Sequence, residues 1–103
     1  MWVKGSNSSG SSGLTEAFHQ QIATVGAAGW NTGCKLSDAK VIIAYSDSVA
    51  RMFHAVNNNG VLDLLREMNN NDTTLTVDGD GYLVFSSTNA TVRNAAASIY
   101  GYI

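Results

Sequence analysis

"VARMFHAVNNNGVLDLLREM", residues 49–68, is the stretch on which the fold turns. Val49, Met52, Phe53 and Val56 follow one another at steps of three, one and three, and Val61, Leu64, Leu65 and Met68 repeat that rhythm. Apolar residues spaced this way line one face of an α-helix. Asn57-Asn58-Asn59-Gly60 interrupts them with residues that enter the left-handed backbone region where helices stop. Asn69-Asn70-Asn71-Asp72 closes the second segment in the same manner. The spacing therefore predicts two helices in succession.

Upstream lies "AKVIIAY", residues 39–45. A short apolar run with adjacent β-branched residues, bounded by polar ones, predicts a strand covered on both faces. Ser46-Asp47-Ser48 stands where that strand hands over to the expected helix and supplies its N-cap. Downstream, "TTLTVDGDGYLVFSS" (73–87) sets two β-rich runs about Asp78-Gly79-Asp80-Gly81, a hairpin signal. A two-residue loop at Gly79-Asp80 would bring Val77 opposite Tyr82 and Leu75 opposite Val84. Leu14, Phe18, Ile22 and Val25 predict an opening helix ended by Gly26 and Gly29, with 30–36 as loop. Val92, Ala96, Ile99 and Ile103 predict a closing helix capped by Ser87 or Thr88. The expected fold class is α+β: a small mixed three-stranded sheet with three or four helices packed on it, in the order helix, strand, one or two helices, hairpin, helix.

Residues 14–103 form the expected single domain, and 1–13 a leader. Its Gly/Ser-rich part is a flexible tether, natural or a cloning scar. It carries Met1–Lys4, in which Trp2 and Val3 suit a strandlet docking on a sheet edge. With 103 residues, 45% of them hydrophobic, one core forms without metal or disulfide staples. Cys34 is the single cysteine, so no disulfide closes within the chain and the compartment stays open. No 18-residue apolar run exists to span a membrane.

Only 14% of residues are charged, well below the usual quarter, and Asn, Ser, Thr and Gly replace the missing Lys and Glu. Net charge is -2, and the six basic residues at 4, 35, 40, 51, 66 and 93 form no stripe for phosphates. Nucleic acid is therefore not an expected partner. Neutral hydrogen-bonding groups are cheaper to desolvate than charges, so such a surface tolerates close neighbours.

Candidate chemistry is sparse. Cys34 with His19, His54 and Asp38 has the residue types of a nucleophile–base–orienter set but no strained elbow around the cysteine. One Cys and two distant His lack zinc spacing, and the Asp78–Gly81 turn lacks the carboxylates of a calcium loop. No catalytic residue, metal ligand or cofactor is expected. Two surfaces stand out. Tyr100 and Tyr102, with Trp30 and Trp2, are candidate contact residues, since tyrosine and tryptophan give rigid amphipathic contact area. Ser46 and Ser48 form an alternative anion site at the N-terminus of the expected helix. The function expected is a non-enzymatic binding or assembly module that meets a protein partner or its own copies. The alternative is a small enzyme or anion/phosphate-ligand-binding domain built on residues 46–48.

Overall fold

The computed structural model describes residues 15–46 and 50–103. The leader at 1–13, with Trp2, lies outside them, as does Ser48. The α+β expectation is overturned: the described residues fold into eight strands in two antiparallel sheets. These are β1 (Glu16–Ile22), β2 (Trp30–Lys35), β3 (Val41–Ser46), β4 (Met52–Asn58), β5 (Val61–Met68), β6 (Thr73–Val77), β7 (Tyr82–Ser87) and β8 (Ala97–Tyr102). Among the described residues, helix is confined to α1 (Ala90–Arg93) and a 3-10 turn at Leu36–Asp38. The larger sheet has the order β1-β8-β3-β4-β5 and the smaller β2-β7-β6.

Residues 52–68 form a hairpin, not two helices. Asn59 (φ 53°) and Gly60 (φ 88°) both take left-handed angles, as a two-residue type I′ turn requires, and Asn58 pairs with Val61 across it. Asn57 holds the turn by accepting the Gly60 N–H at 2.7 Å. The helical rhythm has two physical sources. In β4 both faces are apolar, so Phe53 and Ala55 enter the core while Met52, His54 and Val56 face outward. In β5 a bulge interrupts the ladder: Leu64 pairs with Ala55 and Arg66 with His54, leaving Leu65 as the extra residue. That insertion shifts the two-residue alternation by one and imitates a helical step.

The opening helix fails for a simpler reason. A spacing of four is even, so it keeps residues on one face of a strand as well as of a helix. Phe18 and Ile22 thus lie on one face of β1, opposite Gly101 and Ala97 of β8. Asn89 caps α1 by accepting the Thr91 and Val92 N–H groups, and after that single turn the chain extends into β8. Trp30–Lys35, expected as loop, alternates buried and exposed residues as β2.

The expected strand at 41–45 is β3, the middle strand of the larger sheet. The expected hairpin at 73–87 is β6–β7, but its register differs by one residue. Leu75 pairs with Phe85 and Val77 with Leu83, so the loop holds three residues, with Gly81 at φ 89°. Asp78 makes this loop by accepting the N–H groups of Asp80 and Tyr82, both at 2.9 Å.

The sheets pack face to face. Trp30, Cys34, Leu75, Leu83 and Phe85 from the smaller sheet meet Ile42, Ala44, Phe53, Ala55, Ala97 and Ile99 from the larger. The Phe53 and Phe85 rings touch edge-on across the gap, with centroids 6.0 Å apart. Asp72, between β5 and β6, ties the layers at one end. Its carboxylate accepts from Arg51 Nε at 2.7 Å and Nη2 at 2.8 Å, from Asn89 at 3.0 Å and from Thr73 at 2.8 Å.

Candidate functional site

The two outer faces of the sandwich differ in chemistry. On the smaller sheet, Thr74, Thr76, Asn31 and Lys35 point outward; Thr74 bonds Ser86 at 3.0 Å, and Lys35 lies over the Tyr82 ring. Tyr82 and Val84 of β7 share this face, and the rest of it is polar. On the larger sheet, strand alternation turns Val41, Ile43 and Tyr45 of β3 outward, with Met52, His54 and Val56 of β4 and Tyr100 and Tyr102 of β8. All eight are half-buried by one another. No element among the described residues packs over them.

Register assembles this face into rows. His19, Tyr100, Ile43, His54 and Arg66 are successive cross-strand partners from β1 to β5. His19 stacks on Tyr100 with ring centroids 4.1 Å apart, and Tyr45 lies nearly parallel to Tyr100 at 6.2 Å. Hydrogen bonding with Tyr45, then desolvation, raises the Tyr100 phenol above its ordinary pKa. In the neighbouring row Gln21 donates to Ser98 at 3.3 Å. The result is an aromatic–aliphatic face with polar tips, its charged side chains confined to the edge strands: Glu16 on β1, and Asp63 and Arg66 on β5.

Of the residues singled out by sequence, Tyr100 and Tyr102 belong to this face. Trp30 does not: it is 7% exposed in the core between the sheets. Ser46 ends β3 with its side chain buried, and its Oγ has no partner among the described residues. The helix whose N-terminus was to bind an anion does not form, because Arg51 leads directly into β4 and Met52 pairs back onto Tyr45. Ser48, the other residue of that expected site, lies outside the described residues.

Cys34 is buried on the core face of β2, where desolvation pushes its thiol up and its Sγ donates to the Thr32 carbonyl at 3.6 Å. His54 faces outward from the other sheet, so the larger sheet's backbone separates the two and no nucleophile–base pair forms. Asp78, the best placed calcium-loop carboxylate, is occupied by its own turn and by Asn31 Nδ2 at 3.1 Å. Among the described residues no group of three His, Cys, Asp or Glu could hold a metal ion. None of their helices is long and apolar enough to cross a membrane.

Sequence reasoning missed His19, Tyr45, Ile43 and Met52 as members of one surface. Alternation within β3 carried part of the signal, but the rows exist only through pairing among β1, β8, β3 and β4. Comparison with models of protein families, with curated proteins and with solved structures found no match.

Proposed function

We propose that this chain is a non-enzymatic protein-interaction module, and that the outer face of its larger sheet is the surface by which it binds a protein partner or assembles. The observation that carries this reading is the asymmetry of the sandwich: one exterior sets Tyr82 and Val84 among Thr, Ser, Asn and Lys, whereas the other is a continuous field of Tyr, Ile, Val, Met and His. Protein interfaces concentrate aromatic residues and Met at their centres and are depleted there in Lys, Glu and Asp. The scattered basic residues favour protein over nucleic acid as the partner.

Tyr100 is the expected anchor, because it is stacked, central and rigid. Tyr100→Ala should weaken binding by about 2 kcal/mol, roughly thirtyfold in Kd. Tyr100→Phe should retain most of it, since ring contact rather than the hydroxyl carries the energy. Sedimentation for self-association and pull-down with titration for a partner measure both, with thermal melts as folding control. A wild type that neither assembles nor retains a protein refutes the reading, as does a folded Tyr100→Ala variant that binds like wild type.

A further inference from the structure

β5 is an edge strand whose sequence is complementary to itself, and we infer that it pairs antiparallel with β5 of a second copy, joining two larger sheets into one ten-stranded sheet. Among the described residues β5 has a single neighbour, β4. Of the six large hydrophobic residues exposed among those described, it carries four: Val61 (65%), Leu64 (38%), Leu65 (57%) and Met68 (51%). β1, at the opposite edge of the same sheet, instead exposes Glu16, His19, Gln20 and Gln21. A long edge strand with apolar side chains is a template for another strand.

The backbone and the charges together select the register. Asn57 donates its N–H to Lys40, on the β3 side, so its pairing with Leu62 is not a hydrogen-bonded one. Ladder pairs alternate, which makes Ala55·Leu64 and Phe53·Glu67 non-hydrogen-bonded as well. Leu62, Leu64 and Glu67 therefore turn backbone groups toward the open edge. A two-fold axis between Leu64 and Leu65 sets Leu62 against Glu67 of the second copy, and both are outward-turned, as a new ladder needs. The same axis sets Asp63 against the second copy's Arg66, and Val61 against its Met68.

The bulge makes this work. Asp63 and Arg66 are three apart and would point to opposite faces of a regular strand, but with Leu65 inserted both lie on the outer face, opposite Val56 and His54. Their pairs flank the axis symmetrically, each next to a Leu62·Glu67 pair and with neither backbone turned to the new edge, the arrangement in which side chains approach closest; at the axis Leu64 meets the inserted Leu65, so the ladder is interrupted there. Centring the axis on Asp63 instead would place like charges face to face. Edge charges normally repel a stray strand; here this register sets Asp63 and Arg66 against each other as opposite charges.

This inference uses the edge and not the sheet face, so it stands or falls separately from the role of Tyr100. The test is sedimentation velocity of the full chain against concentration, with thermal melts as folding control. Wild type should dimerise. Asp63→Arg and Arg66→Asp, each replacing two attractions by two repulsions, should weaken the dimer about tenfold or more. The double exchange, Asp63→Arg with Arg66→Asp, should return to within a few-fold of wild type, an outcome that a purely structural role for either residue does not produce. Wild type that stays monomeric at concentrations approaching about 1 mM overturns the inference. So do single exchanges that dimerise like wild type, or a double exchange as weak as either. Deleting residues 1–13 should leave dimerisation unchanged; a chain that dimerises only without them would assign the β5 edge to the leader and overturn the inference equally.

Discussion

Gly60 takes φ 88° with nothing within 4 Å of where a Cβ would stand, so any cost of adding one is backbone strain and not crowding. Gly79, in the other hairpin, also has open space but no left-handed angle. Gly60→Ala should therefore lose about 1–2 kcal/mol, the penalty for a side chain at positive φ. Gly79→Ala should change stability little, within about 0.5 kcal/mol of wild type. Chemical denaturation of the two variants makes the comparison, and equal losses would show that the turn at 59–60 does not set the β4–β5 register. The contrast matters because Asn-Gly is the strongest short hairpin signal that a sequence carries. It is present here, at Asn59-Gly60, inside a run of Asn that also suits a helix end.

At the scale of elements, β3 has one sealed face and one half-open face. Ile42 is fully buried against the smaller sheet, whereas Ile43 stands on the outer face between Tyr100 and His54. Ile42→Ala should destabilise by about 2–5 kcal/mol, and Ile43→Ala by about 1 kcal/mol, since only the first leaves a cavity. Equal losses in equilibrium unfolding would mean that a further layer covers the outer face. β3 and the β6–β7 hairpin were legible in the sequence because β-branched runs there are short and bounded by turn residues. β1, β4, β5 and β8 were not, and the reason is periodicity. A spacing of four in β1 fits helix and strand alike, the stripe read over 92–103 runs across α1 and β8, two apolar faces in β4 hide its alternation, and the Leu65 bulge breaks that of β5. The outer face was legible to the extent of Tyr100 and Tyr102. Trp30 misled because aromatic size suits a core as well as an interface, and only the alternation of β2 decides which.

For the whole molecule, Asp72 is the clasp that pH acts upon. Hydrogen bonds from Arg51 lead the causes that hold its carboxyl far below the usual carboxylate range, with Asn89 and Thr73 adding to them. Its folded pKa is depressed, so its contribution is fully present above the unfolded value of about 3.9 and is lost as pH falls below it toward the folded one. Asp72→Asn should thus lower the melting temperature at neutral pH and flatten the loss of stability below about pH 4. Melts of both proteins across pH test this, and parallel acid profiles would remove Asp72 from the account. Chain order around β3 bears on how the molecule is made. β3, β4 and β5 are consecutive and pair by local hairpins, but the other neighbour of β3 is β8, which also holds β1 through contacts such as Glu16 with Tyr102. A growing chain on the ribosome completes the three-stranded meander while one side of β3 still lacks its partner. Pairings so distant along the chain form slowly, and an unpaired strand edge invites aggregation meanwhile. The interval between synthesis of β5 and arrival of β8 is when this protein most needs dilution or a chaperone, and slowing translation over residues 69–96 would lengthen it.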